Sequence, residues 1–340
     1  MHHNQIRKVA FVGTGIMGAA IAGHILDAGY DLVVNNRTKA KAEGLLARGA
    51  RWASTPAEAA AGADLVFTMV GYPNEVEDVY LASDGILRAA DKGAWLVDLT
   101  TSSPELARDI HDAAEVMDKH AFDCPVTGGQ AGAEAGTLTL IVGAREADIE
   151  PVLPVLKTFS SKIAFFDAPG AGQTAKLCNQ VSFAGALVGM SEALALAEQS
   201  GIDRRAMLDM VASGMGSSRA ITDMAPKAVD GDWAPGFFAE HLRKDLALVL
   251  AEGEEAELQL PGTETAFALY DMLCRMGGSK LGGQAIALCY QDEGAGVAAG
   301  LDWSLLDAPE DDCDCGDECD CGHHHHHDHG DGCRCGHHGE

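Results

Sequence analysis

A doubly wound parallel α/β domain, an all-helical second domain and a disordered acidic tail are what this 340-residue sequence predicts. Three observations carry the prediction. Apolar runs of strand length alternate with helical stretches down to residue 167. From Ala171 onward the apolar residues recur at helical spacing instead. Residues 307–340 then lose nearly every apolar side chain and are too polar to bury a core. The expected divisions are therefore 1–167, 168–306 and 307–340.

The first strand is the apolar run 9–12. It leads into Gly13, Thr14, Gly15, Ile16, Met17 and Gly18, where the first two glycines permit a tight turn and the close approach of a pyrophosphate, and Gly18 lets the next helix pack on the sheet. That helix runs through Ala19, Ala20, Ile21, Ala22, Ile25 and Leu26 to a stop at Gly29, so its first amides point at whatever lies above Gly15. A second strand, 31–34, follows at once. Strand, glycine turn, helix and strand together form the context of a Rossmann dinucleotide site; without that context the six-residue pattern is a chance turn about as often as not.

The end of the second strand should carry the choice between dinucleotides. An NAD site usually places an acid there for the ribose hydroxyls, whereas a cation accommodates the 2′-phosphate of NADP. Here the chain offers Asn35, Asn36, Arg37 and Thr38, with no acid. Arg37 is suited to the phosphate, with Asn36 and Thr38 donating to it, which predicts NADP with NAD as the lesser option. The alternative for Arg37 is a solvated loop arginine.

Further strands are expected at 65–70 and 94–98, separated by helices at 75–81 and 104–120, with 121–125, 137–142 and 163–166 closing the same domain. Ligands of such a sheet collect at the carboxyl ends of its strands, which nominates Met69, Val70, Thr100 and Thr101; their plain alternative is strand-end packing or helix capping. Helices follow at 171–200, 204–213, 239–251 and 263–276. The first of them has no charge between Lys176 and Glu192, so most of it must be buried between helices or against a partner subunit.

Lys176 stands near the start of that apolar helix, and Asn179 and Gln180 lie three and four positions on, so the three share a face. A buried lysine has a lowered pKa, as a group exchanging a proton near neutrality requires. The alternative is a lysine snorkelling to solvent from the first turn. Upstream, Thr127, Gly128 and Gly129 follow a strand; amides of this kind suit an anion, and the same residues also suit an ordinary turn.

Taken together, the glycine turn, Asn36 to Thr38, Asp98-Leu-Thr-Thr101, Asp123-Cys-Pro-Val-Thr-Gly-Gly129, Gly172-Gln-Thr-Ala-Lys-Leu-Cys-Asn-Gln180 and Lys244-Asp-Leu246 resemble the β-hydroxyacid dehydrogenase family over roughly residues 6–292. That family includes 3-hydroxyisobutyrate dehydrogenase and tartronate semialdehyde (2-hydroxy-3-oxopropionate) reductase. The resemblance implies Lys176 as the catalytic acid/base, Thr127, Gly128 and Gly129 as the carboxylate site, Asn179 as an orienting group, and Thr101 and Lys244 as cofactor contacts. Thr127 stands where many members have Ser, and Gln180 where some have Asn; both keep hydrogen-bonding capacity, so the departures bear on substrate choice. Two other readings are an imine reductase, against which the presence of Lys176 argues, and a non-catalytic NADP-binding sensor.

The net charge of −27 disfavours nucleic acid and anionic membrane surfaces as partners, although about ten units of it lie in residues 307–340. No basic, apolar and small-residue leader pattern is evident at the start, and no apolar run is expected to reach membrane-spanning length, which predicts a soluble cytoplasmic protein. The expected partners are a small-molecule substrate and further copies of the chain, as a homodimer or homotetramer. Cys124, Cys178, Cys274 and Cys289 are scattered singly, as in a reducing compartment. The tail adds Cys313, Cys315, Cys319, Cys321, Cys333 and Cys335 around a run of histidines, a density that suits Zn²⁺ or another transition metal, while the Cys-x-Cys spacing does not define a single site. An expression tag is the alternative, and five histidines embedded in Cys/Asp/Gly sequence do not resemble one.

Overall fold

A computed structural model describes residues 6–306. Its first sheet contains β1 (Lys8–Val12), β2 (Asp31–Asn35), β3 (Arg51–Trp52), β4 (Leu65–Thr68), β5 (Trp95–Asp98) and β6 (His120–Asp123), all parallel, in the order β3-β2-β1-β4-β5-β6. The order reverses between β1 and β4, and such a switch point opens a crevice at the carboxyl ends of the strands. Helices α1 (Ile16–Asp27), α2 (Pro73–Leu81) and α3 (Pro104–Val116) belong to this layer. Pro73 and Pro104 occupy the first turns of their helices, where the missing N–H removes no bond. The sheet is apolar on both faces, with Phe11 and Phe67 in one cluster and Ala10 and Val66 in the other, all fully buried.

Two expectations about this region need correcting. The helix expected to reach residue 120 stops at Val116, because the chain turns through Asp118 in the left-handed region (φ 57°) and starts β6 at His120. Of the three closing strands, only β6 joins the first sheet. After Pro125, which has no N–H to give to a ladder, β7 (Val126–Thr127) pairs antiparallel with β8 (Leu138–Val142), and β8 pairs parallel with β9 (Ser160–Phe165) in a separate three-stranded sheet. A short helix, α4 (Gly129–Ala135), joins β7 to β8.

The second half is helical, as its periodicity predicts. Helix α5 (Ala171–Gln199) is 29 residues long and is followed by α6 (Arg204–Ala212), α7 (Ala239–Glu255) and α8 (Pro261–Arg275). The expectation that no apolar run reaches membrane-spanning length does not hold for α5, which is long and apolar enough by length and composition, with a mean hydropathy of 1.3 over its window. Its alanines, leucines and valines raise that mean. Here α5 serves as a core helix: Leu187, Met190 and Leu194 pack in one cluster with Leu242, Leu246, Tyr270 and Leu273 of α7 and α8. Each such side chain, once buried, contributes about 1.5–3 kcal/mol.

Candidate active site

The crevice begins at the turn between β1 and α1. Gly13 adopts φ 100°, and a Cβ there would lie 2.1 Å from the Met69 carbonyl oxygen, so the fold itself requires this glycine. Gly15 differs, because a Cβ there would meet nothing within 4 Å. The missing side chain leaves room for something the protein does not supply. Beside it the Thr14 hydroxyl is buried with no hydrogen-bond partner among the described residues. Ile16, the next residue, is half exposed, and Met17 and Gly18 carry the chain into α1. An open position at the second glycine and an orphaned hydroxyl beside it fit a dinucleotide pyrophosphate at the start of α1.

The loop after β2 braces this turn. The Thr14 amide donates to Asn36 Oδ1 (3.1 Å), and Asn36 Nδ2 donates to the Thr38 carbonyl (3.0 Å), so the Asn36 oxygen and one amide hydrogen are committed to the loops. Arg37 is 89% exposed and pairs with Glu75 of α2 at 2.9 Å. Across the switch point, Met69 follows β4 and its amide donates to the Val12 carbonyl, while the Val70 amide donates to Thr100 Oγ1 (3.0 Å). Thr100 is held from beneath, since its amide donates to Asp98 Oδ1, which also accepts from Thr68 Oγ1 at 2.7 Å. Burial pushes the Asp98 carboxyl up to about 6, against the opposing effect of those hydrogen bonds.

Helix α5 is anchored by groups from the sheet. Gly170 precedes it, and Asp123 at the end of β6 accepts from the amides of Gly170 (2.8 Å) and Gln173 (2.7 Å), so a buried carboxylate satisfies the first donors of the helix and faces its positive end. Gln173, fully buried, accepts from the Ser102 amide and donates to the Thr100 carbonyl, which locks α5 to the 100–102 loop. Lys176 stands one turn further on.

Lys176 is 6% exposed, and among the described residues its ammonium has no hydrogen-bond partner. Burial lowers its pKa to about 8; the Asp245 carboxylate opposes the shift and the Lys244 ammonium adds to it. Asp245, 1% exposed on α7, accepts from Gln180 Nε2 (2.6 Å) and lies 2.8 Å from Lys244 Nζ. Gln180 accepts in turn from Asn179 Nδ2 (2.8 Å), and Lys244 donates to the Thr101 carbonyl (2.6 Å). One network therefore joins Asn179, Gln180, Asp245, Lys244 and Thr101 beside Lys176.

Thr127, Gly128 and Gly129 lie at the edge of the second sheet, opposite the start of β8, and lead into α4. Thr127 ends β7, which pairs with β8, and a Cβ on Gly172 of α5 would lie 2.6 Å from the Ile141 carbonyl of β8. The Gly236 carbonyl, on the loop before α7, accepts from the Gln130 amide (3.4 Å). Sequence reasoning missed Asp98, Asp123, Gln173, Glu75 and Asp245 as contributors. Asp245 left the plainest signal, an acid beside Lys244 at the point where α7 becomes apolar through residue 251. Among the described residues no three His, Cys, Asp or Glu side chains gather as a metal site; the tail cysteines lie outside those residues.

Residues 8–167 match the NAD binding domain of 6-phosphogluconate dehydrogenase, and residues 170–290 match the NAD-binding domain of NADP-dependent 3-hydroxyisobutyrate dehydrogenase. The uncharacterized oxidoreductase YkwC of Bacillus subtilis is 39% identical over 280 residues, covering 82% of this chain and 97% of its own. The chain belongs to the β-hydroxyacid dehydrogenase family. Within the family, an NAD-dependent L-serine dehydrogenase of Pseudomonas aeruginosa is 33% identical over 279 residues, covering 80% of this chain and 94% of its own. The Mycobacterium tuberculosis 3-hydroxyisobutyrate dehydrogenase, solved with L-serine, superposes with a TM-score of 0.78 at 29% identity, covering 84% of this chain and all of that one. This member is an NAD(P)-dependent dehydrogenase of the 3-hydroxyisobutyrate dehydrogenase type.

Proposed function

We propose that this enzyme transfers a hydride between NADP(H) and a small 3-hydroxy acid or its semialdehyde, of the 3-hydroxyisobutyrate or tartronate semialdehyde type, with Lys176 as general acid/base. The observation that carries the reading is the Lys176 amine itself: buried, without a hydrogen-bond partner among the described residues, held at about 8, and set beside a polar network. When bound, the nicotinamide supplies or accepts the hydride. In the oxidative direction the neutral Lys176 amine takes the proton of the substrate hydroxyl; in reduction its ammonium gives a proton to the carbonyl oxygen. Asp245 steadies the ammonium form and Lys244 opposes it, which keeps both forms accessible near neutral pH. Thr127 with the amides of Gly128 and Gly129 receives the substrate carboxylate, Asn179 and Gln180 orient the reacting end, and Lys244 with Thr101, Met69 and Val70 borders the cofactor. Gly13 through Gly18 hold the pyrophosphate, and Arg37, with Asn36 and Thr38, selects the 2′-phosphate.

A subunit contact on α5 is part of the same proposal. Thr174, Cys178, Ser182, Gly185 and Gly189 line an exposed stripe of this apolar helix, a surface suited to close packing against a second copy in a homodimer or homotetramer. The free thiols of Cys124, Cys178, Cys274 and Cys289 fit a cytoplasmic setting. For the tail we propose metal binding through Cys313, Cys315, Cys319, Cys321, Cys333 and Cys335 with the neighbouring histidines, independent of catalysis.

Lys176→Ala tests the central claim. The variant should bind dinucleotide as the unmutated enzyme does while its kcat falls by several orders of magnitude on the semialdehydes of tartronate, methylmalonate and succinate and on glyoxylate. Turnover above about a tenth of the unmutated value would remove Lys176 from the chemistry.

A further inference from the structure

We propose that Glu75 is a cofactor-specificity residue, which holds Arg37 back from a 2′-phosphate and so limits the preference for NADP(H) over NAD(H). The proposal rests on the cofactor reading above, in which Arg37 meets that phosphate. From the sequence alone the tip of β2 has no acid and Arg37 is free to act. Folding supplies the acid from another element: Glu75, in the first turn of α2, brings Oε1 to 2.9 Å from Arg37 Nη2.

The carboxylate is not a chance surface partner, because its other oxygen is fixed. Glu75 Oε2 accepts from the Gly71 amide (2.7 Å) and the Tyr72 amide (3.2 Å), on the turn that leads from β4 into α2. Its side chain is 22% exposed, against 89% for Arg37. The acid is therefore preset and the arginine must adjust. To hold a phosphate the guanidinium must leave or share this carboxylate, and a phosphate drawn toward Arg37 then meets a fixed negative charge near it. A free ribose 2′-hydroxyl meets the opposite situation, since a carboxylate oxygen is a good acceptor for it. Arg37 and Glu75 thus pull the choice in opposite directions, and the balance between them sets its size.

The test is isothermal titration of the full-length protein with 2′,5′-ADP and with 5′-AMP, repeated with NADP⁺ and NAD⁺, for the unmutated chain, Glu75→Gln, Arg37→Ala and the double variant. Gln keeps an oxygen for the Gly71 and Tyr72 amides, so the turn is preserved while the charge is lost. Glu75→Gln should raise the affinity ratio of 2′,5′-ADP to 5′-AMP by about tenfold, the scale of one charge acting across a solvated gap of a few ångströms. Arg37→Ala should lower the ratio, and in its background Glu75→Gln should change the ratio by less than about twofold. Loosening of the turn alone would weaken both ligands equally and leave the ratio unmoved. An unmoved ratio overturns the proposal, as does a full tenfold shift that persists without Arg37. An unmutated protein that prefers 5′-AMP would instead overturn the NADP(H) reading, while the response of the ratio to Glu75→Gln would still be read in the same titrations.

Discussion

Replacing Lys176 with methionine should make the protein more stable while abolishing its chemistry. In the unfolded chain the amine titrates near 10.5; in the fold burial brings it down to about 8. At about 1.36 kcal/mol per unit, that difference means the folded state carries a penalty of about 3 kcal/mol for keeping an ammonium out of water. The sign follows from the two values. Below about pH 8 both states are protonated and the penalty is fully present; it fades as pH rises from 8 to 10.5, where both states become neutral. Methionine fills the same space in an apolar helix, and its sulfur adapts to irregular gaps. Asp245 is not abandoned by the change, since it keeps Lys244 at 2.8 Å and Gln180 at 2.6 Å. Lys176→Met should therefore gain up to about 3 kcal/mol at pH 7, a rise in Tm on the order of 5 °C for a protein of this size. Thermal melts of both proteins, run side by side from pH 6 to 10.5, measure the difference curve. A variant less stable than its parent at pH 7, or a gain that stays constant across the range, would show that the amine is not a buried, strained ammonium.

The two glycines of the first turn should separate folding from binding. Gly13→Ala meets the Met69 carbonyl and a positive φ, so little folded protein is expected on expression, whereas Gly15→Ala should melt as the parent does yet bind NADP⁺ at least about tenfold more weakly by titration. Asp245→Asn withdraws the carboxylate that raises the Lys176 pKa, so the midpoint of the pH profile for alcohol oxidation should fall below about 8, by about one unit, whatever happens to the plateau; an unchanged or higher midpoint would contradict the assignment. Cutting the chain after Leu306 should leave semialdehyde reduction intact, because no assigned catalytic or cofactor residue lies beyond Lys244, and should abolish the uptake of several Zn²⁺ equivalents expected of the full chain under reducing conditions. That uptake should itself fall below about pH 6, where imidazoles and thiolates take up protons.

Local patterns were enough to place the strand, glycine turn and helix at 8–27, the apolar runs of β4 and β5, the long helix around Lys176 and the change of period near residue 170. Each of these is written in neighbouring residues, where periodicity and backbone freedom act. The same locality explains why Lys176, Asn179 and Gln180 were legible as one face of one helix. The sequence did not reveal what those residues face. Asp245 is 69 positions from Lys176, and only the packing of α7 on α5 brings its charge to bear on the amine. Asp123 becomes the cap of α5 because β6 ends beneath Gly170, and Pro125 sends the following strands into a sheet of their own. Arg37 is the sharpest case. Its own neighbours contain no acid, and Glu75 reaches it only because the chain crosses from β2 to β4 and turns into α2. Sequence by itself determined which groups were available and which local backbone they rode on; tertiary structure decided which charges meet, because electrostatic interaction depends on distance through space and burial, and neither is set by separation along the chain.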